Sequence, residues 1–266
     1  MPVAVMGALN VSPESFHAAS VKRDPDALLR AALGMVAAGA ALVDVGARST
    51  APYLATAISE DEEAERLAQA VALLAAKLPV PISADTARPA PARAALEAGA
   101  RVLNDVSGLA DPAVARLAAA HEAGVIAMAW PSGGAPSREP SATVRALLAA
   151  ALARAREAGI PDERVVLDPG IGFFREEALA WHEWDTRVLA DLPALAGLGR
   201  PLAVGVSRKS FVGVLAGRRR TDERLAGSLA ATAAAVLGGA ALVRTHDVAE
   251  TVDAVRVAER IRAARP

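Results

Sequence analysis

The 266-residue sequence predicts a (β/α)8 TIM barrel, an α/β fold in a single domain over residues 1–266. Eight short apolar runs alternate with eight segments of helical periodicity, the pattern of repeated right-handed βαβ units. Nearly every apolar run ends in a polar residue, and in a closed barrel of parallel strands those ends meet around one mouth. The length is close to the ~250 residues of one such barrel, and no shift in composition marks a linker.

The first apolar run, residues 3–9, stops at Asn10. A helix follows over 25–38, opened by a capping Asp24 before Pro25 and closed by Gly39. The second strand, 41–43, stops at Asp44 and leads to a helix over 60–77, whose start, Ser59-Glu60-Asp61-Glu62, forms a capping box. Residues 80–84 stop at Asp85, before a helix over 88–98 that Gly99 ends. Residues 101–103 stop at Asn104, and Asp111-Pro112 opens a helix over 112–123. A fifth strand over 124–129 precedes a helix over 143–158. The sixth, 164–167, stops at Asp168 and precedes a helix over 184–195. Residues 202–206 stop at Ser207-Arg208-Lys209, with a helix over 223–237. Residues 241–243 stop at Arg244-Thr245-His246, with a final helix over 248–262. An open doubly wound sheet shares this alternation but gathers its site at one switch point and favours G-x-G-x-x-G after the first strand. Here that position reads Asn10-Val11-Ser12-Pro13-Glu14-Ser15, and the polar ends are spread over nearly all strands, so the barrel is the better reading.

Composition narrows the function. With 53% hydrophobic but only 3% aromatic residues, Ala, Val and Leu must fill the core. A net charge of -1 with interspersed signs gives no basic stripe, which argues against nucleic acid. The lack of Cys excludes disulfides, thiolate metal sites and a thiol nucleophile, and fits a cytoplasmic location. The start of the chain, without a charged leader, does not read as a signal peptide, and no uncharged apolar run is long enough for a membrane span.

Asp44, Asp85 and Asp168, with Asn10, Asn104 and Lys209, carry the expected chemistry. Each Asp alone is as well explained as a helix cap; together with the amides they point to a ligand site. A carboxylate accepts two parallel N–H bonds from an amino-pyrimidinone edge while Lys donates to a ring carbonyl, so a pterin- or purine-like ring suits this set. Arg244 and His246, two residues apart, lie on one face and suit a phosphate or pyrophosphate; the bland alternative pairs Arg244 with Asp247. Gly170-Ile171-Gly172-Phe173-Phe174 permits a sharp turn, its Phe residues forming either a pocket wall or a core plug. Trp181-His182-Glu183-Trp184 falls in a loop or early helix, where it shapes the mouth or meets a second subunit. His17, His121 and His182 have no metal-ligand spacing, and Arg218-Arg219-Arg220 is expected as a solvated loop.

Seven blocks in order resemble the signatures of the dihydropteroate synthase family. They are Met6-Gly7-Ala8-Leu9-Asn10-Val11-Ser12-Pro13-Glu14-Ser15-Phe16, Asp44-Val45-Gly46 with Ser49-Thr50, Ser83-Ala84-Asp85-Thr86, Leu103-Asn104-Asp105-Val106-Ser107-Gly108, Asp168-Pro169-Gly170-Ile171-Gly172-Phe173, Gly205-Val206-Ser207-Arg208-Lys209-Ser210-Phe211 and Val243-Arg244-Thr245-His246-Asp247. The resemblance implies a pterin-binding barrel that joins 6-hydroxymethyl-7,8-dihydropterin pyrophosphate to p-aminobenzoate or a related aryl amine, releasing pyrophosphate in folate biosynthesis. It assigns Asp85, Asn104, Asp168 and Lys209 to the pterin. Asn10, Arg244 and His246 go to the pyrophosphate, with Asn10 also on Mg2+. Thr50, Pro52 and Ser210 go to the aryl amine, and Lys209, Asp85, Arg244 and His246 to catalysis. It also implies a homodimer, for which the Ala- and Gly-rich stretch 227–237 suits close helix packing.

The departures from the family pattern are clustered. His17-Ala18-Ala19-Ser20 replaces Ser-Asp-Gly-Gly, Ala51-Pro52-Tyr53 replaces Arg-Pro-Gly, Met128-Ala129-Trp130 replaces a Met-His-Met-type segment, and Phe174-Arg175 stands where a Lys is usual. Arg48 and Arg175 are the candidates to replace the lost loop Arg. Two other readings remain at this point: a pterin-binding methyltransferase using a reduced folate, and a non-catalytic pterin-binding paralogue.

Overall fold

A computed structural model describes residues 2–11, 24–48, 58–131, 136–175 and 177–264. Its eight parallel strands are β1 (Ala4–Asn10), β2 (Leu42–Gly46), β3 (Ile82–Asp85), β4 (Val102–Asp105), β5 (Gly124–Met128), β6 (Val165–Asp168), β7 (Ala203–Gly205) and β8 (Leu242–Thr245). They lie in the order β6-β5-β4-β3-β2-β1-β8-β7. The two outer strands meet only at a single bridge between Leu167 and Leu202, so the barrel is nearly closed.

The strands run through the polar residues where the apolar runs appeared to stop. Side chains alternate across a strand, so Leu42, Asp44 and Gly46 share one face of β2 while Val43 and Val45 take the other. The outward Val43, Val45, Leu103 and Leu167 belong to the large core under the helices. Met6, Ile126, Ala203 and Leu242 pack with Ala4, Leu42, Val102 and Val166 as a separate apolar plug inside the barrel. Two residues further along their strands, the inward face changes chemistry: Leu42 gives way to Asp44, Val102 to Asn104, Val166 to Asp168 and Leu242 to Arg244. The polar layer therefore rests on a dry floor.

Nine α-helices occur among the described residues: α1 (Pro25–Ala37), α2 (Glu60–Lys77), α3 (Pro89–Glu97), α4 (Pro112–Ala120), α5 (Pro140–Glu157), α6 (Trp181–Ala190), α7 (Ser210–Leu215), α8 (Leu225–Leu237) and α9 (Val248–Ala263). The anticipated caps are present, with Asp24, Ser59 and Asp111 side chains accepting from the backbone N–H groups of Ala27, Glu62 and Ala113. Three expectations change. Helix α7 is additional, its six residues too few to show a period. Helix α6 begins at Trp181 and gives way to a 3-10 segment at Leu192–Leu198, and α8 starts at Leu225 after a 3-10 turn over Thr221–Arg224. The tight packing expected of residue 227 is made within the chain: a Cβ on Gly227 would lie 2.5 Å from Val212 Cγ1 of α7.

Candidate active site

Asp44 is the hub of one side of the mouth. It is fully buried and accepts from Ser83 Oγ at 2.6 Å, Asn104 Nδ2 at 3.2 Å and Arg244 Nε at 2.7 Å. Strand register produces this, since Asp44 pairs with Ser83 and Asp85 with Asn104 along neighbouring strands. Arg244 Nη2 also donates to Asp85 Oδ2 at 3.0 Å, so one guanidinium ties β8 to β2 and β3. The sequence places Arg244 with His246 and Asn10 on a phosphate or pyrophosphate; the structure adds two carboxylate partners, Asp44 and Asp85. The bland alternative partner, Asp247, is occupied by Arg208, which meets it through two bonds of 2.8 and 2.7 Å.

These contacts leave one oxygen over. Asp85 Oδ1 is buried without a hydrogen-bond partner among the described residues. Burial pushes the Asp85 carboxyl up to about 7, against the opposing pull of Arg244. Burial also works against the Arg244 charge, but Asp44 and Asp85 outweigh it and its pKa stands above the ordinary value. Asn10 ends β1 beside this pair: a Cβ on Gly46 would lie 3.2 Å from Asn10 Oδ1 and 3.6 Å from Asp85 Oδ2. The ring Nδ1 of His246 lies 3.3 Å from Ala8 O, and the His246 backbone N donates to Ser207 Oγ at 3.2 Å.

Asp168 and Lys209 form the other side, on β6 and just after β7. Asp168 Oδ1 accepts from Gly170 N at 2.7 Å. Burial raises the Asp168 carboxyl, and the neighbouring Lys209 charge lowers it. Burial pulls the Lys209 ammonium down to about 8, with Asp168 and Asp185 acting in the opposite direction. Lys209 Nζ donates to Ile171 O and sits 4.5 Å from the Phe173 ring centroid. Both glycines of the turn are required: Gly170 and Gly172 have φ of 72° and 91°, and a Cβ on Gly172 would lie 2.8 Å from Lys209 Cδ.

The aromatic residues divide between the two expected roles. Phe173 faces the Lys209 ammonium and Trp130, whereas Phe174 is buried and stacks on Trp184 at 5.0 Å between centroids. Trp184 therefore packs into this chain's own core. Trp181 carries the Arg175 guanidinium at 4.2 Å from its ring, and Arg175 Nη2 donates to Ser210 Oγ at 2.9 Å. Arg48 instead donates to the fully buried Glu63 at 3.1 Å. The solvated reading of residues 218–220 agrees with Arg220, which pairs with Asp222 on the surface. Thr50, Pro52 and His17 lie outside the described residues.

Sequence reasoning passed over two buried acids. Glu63 takes Arg48, Arg88 and Thr86 Oγ1 behind the mouth, and Asp185 accepts from Gly172 N at 2.7 Å beneath it. Both occupy the apolar stripe of their helices, Glu63 with Leu67, Ala70 and Leu74 and Asp185 with Val188, Leu189 and Leu192. An acid at a stripe position was the available signal.

Among the described residues no cluster of three or more His, Cys, Asp or Glu side chains has metal-cage geometry. The arrangement suits a flat, aminated heterocycle gripped by carboxylates, an amide and a Lys, with a cation and His beside it for an anionic tail.

Comparison with known proteins gives the same direction. The family model described as pterin binding enzyme matches residues 6–246. A dihydropteroate synthase of Mycobacterium leprae is 42% identical, covering 96% of this chain and 92% of the relative. A Xanthomonas albilineans dihydropteroate synthase solved with 4-aminobenzoic acid superposes with a TM-score of 0.89 at 37% identity, covering 100% of this chain and 94% of the other. A Coxiella burnetii dihydropteroate synthase in complex with pteroic acid gives 0.89 at 32% identity, covering 99% and 94%.

Proposed function

This chain belongs to the pterin-binding enzyme family, and we propose from that premise how its residues carry out the dihydropteroate synthase reaction. The reaction is a transfer of a pterin-methyl group, not a methyl group, from its pyrophosphate ester to the nitrogen of p-aminobenzoate. The observation that carries the assignment of roles is the convergence of Asp85, Asn104, Asp168, Lys209 and Arg244 on one mouth above an apolar floor.

The pterin edge donates its N–H bonds to two carboxylates. Asp168 Oδ1 accepts from Gly170 N and keeps a second lone pair, so the two carboxylate oxygens together accept the parallel bonds of the ring amino group and ring N–H. Asp85 Oδ1, buried and unmatched, takes a second donor. Asn104 gives its Nδ2 to Asp44, which fixes the amide so that its oxygen is the group offered to the ligand. Lys209 donates to the ring carbonyl, and Asn10, Arg244 and His246 receive the pyrophosphate. As the carbon–oxygen bond to pyrophosphate breaks, the leaving group takes the electron pair. The amine nitrogen forms the new bond to the methylene carbon and releases its proton to solvent. Arg244 and His246 stabilise the leaving charge.

The donor set suits Mg2+ in a limited way. Mg2+ keeps several waters and takes phosphate oxygens with one or two protein oxygens, so the single amide oxygen of Asn10 at the strand end fits and an all-protein cage is not needed. Bound there, the ion would neutralise pyrophosphate charge. For the acceptor, Ser210 meets the carboxylate and Arg175, bonded to that hydroxyl, supplies the positive charge. The proposal includes a homodimer and a cytoplasmic location; no helix among the described residues is long and apolar enough to cross a membrane.

Mixing the purified protein with the pterin pyrophosphate, with and without p-aminobenzoate, and following pyrophosphate tests the reading. Release that requires the amine is expected. Pterin binding without turnover would make the chain a non-catalytic paralogue.

A further inference from the structure

The Ile171–Gly172 peptide is held at both ends by charged side chains. Its N–H donates to Asp185 Oδ1 at 2.7 Å, and its carbonyl oxygen accepts from Lys209 Nζ. The N–H and C=O of a trans peptide point in opposite directions, so whatever fixes one end aims the other. Gly172 has a φ of 91° and no side chain to restrain that plane, because a Cβ there would strike the Lys209 stem. The restraint comes from α6. Asp185 is fully buried, and its Oδ2 has no hydrogen-bond partner among the described residues.

A buried carboxylate with one unmatched oxygen is costly, and packing alone would be better served by an apolar residue at that stripe position. Its retained contact is with the peptide that receives Lys209. We propose that Asp185 is a positioning residue for the transfer reaction: by accepting from Gly172 N–H it aims the Ile171 carbonyl at Lys209 and holds the ammonium on the pterin side of the mouth. This rests on the reading of Lys209 as a pterin contact.

The electrostatics agree. Lys209 is faced by Asp168 from β6, Asp185 from α6, Arg244 from β8 and Arg175 from the segment after β6. Asp185 is faced by Lys209, Arg175 and His182, and burial pushes its carboxyl up to about 6. Its charge favours the protonated Lys209, directly and through the polarised peptide.

The test uses pterin pyrophosphate binding by titration calorimetry across the alkaline range, together with KM values, in wild type, Asp185→Asn and Asp185→Ala. Asp185→Asn keeps an acceptor for Gly172 N–H but loses the charge. Its affinity near neutrality should stay close to wild type, while the alkaline loss of binding, set by Lys209 at about 8, moves to lower pH. Asp185→Ala loses both, and should raise the KM for the pterin substrate by about tenfold while changing that for p-aminobenzoate much less. If Asp185→Ala does not fold, Asp185→Asn carries the test alone. Wild-type alkaline limbs in the variants, with or without lower thermal stability, would reduce Asp185 to a structural residue and overturn the proposal. Failure of the wild-type protein to bind the pterin would overturn the functional reading beneath it as well, so the two failures are distinguishable.

Discussion

Around Asp44, strands β3, β4 and β8 each send a donor to one fully buried carboxylate, whereas around Lys209 the ammonium is held, among the described residues, by one backbone carbonyl and the face of Phe173. The first side is satisfied at Asp44 and leaves Asp85 Oδ1 over at its edge; the second leaves donors and acceptors for a ligand. Fully satisfied buried networks rigidify, and loosely matched ones are where binding can be recognised. The Asp44 carboxylate therefore sets the shape of its side of the mouth, and the pterin ring is read by the groups left over: Asp168 and Lys209 opposite, with Asp85 Oδ1 and the Asn104 oxygen at the edge of the network.

Substitution should separate stability from affinity along that line. The largest effect is expected for Asp44→Ala, which leaves Arg244 with one carboxylate and strips Ser83 and Asn104 of their acceptor. Breaking a buried pair in this way costs about 3–5 kcal/mol, readable as a fall in the urea midpoint. A small change there would mean that the network is not structural. Asp168→Asn should do the reverse, lowering pterin affinity by about 1–3 kcal/mol in a titration while leaving the urea midpoint close to wild type. Unchanged pterin binding would remove Asp168 from the site.

Acid–base linkage sharpens the same contrast. The Asp85 carboxyl ionises at about 7 in the fold against 3.8 in the unfolded chain, so between those values the folded protein holds a proton that the unfolded one releases. Its contribution to stability is present below the lower value and is lost as pH rises through the upper one. Asp168 and Asp185 are shifted in the same direction, so Asp85→Asn should reduce, without abolishing, the decline in urea midpoint across that range. An undiminished slope would show that Asp85 is ionised throughout. The smallest effect is expected at the surface pair, where Arg220→Ala should leave both urea midpoint and pterin affinity unchanged within measurement, because solvent screens the exposed Arg220–Asp222 contact.

Much of the site was legible because barrel strands alternate strictly. Asp44, Asn104, Asp168 and Arg244, each closing an apolar run, fall on inward positions two residues above the plug, whereas Asp85 follows Ser83 on the same face. The short α7 was not legible, having fewer than two turns of pattern, nor was the use of Gly227 for packing inside the chain. Asp185 and Glu63 were hidden by the helical period itself, since an acid on an apolar stripe looks like an interruption until its partner is known.

By itself the chain's order of apolar runs, caps and strand-end polar residues determined the barrel and the rim on which chemistry is placed, and its seven sequence blocks carried the family resemblance. Only the folded arrangement decided the pairings: Arg244 to two carboxylates, Arg208 to Asp247, Arg175 to Ser210 and Asp185 to the peptide under Lys209. The reason is range. Periodicity and capping act over a few residues and leave their mark locally, whereas Arg244 and Asp44 are 200 residues apart and meet only when β1 is seated between β8 and β2.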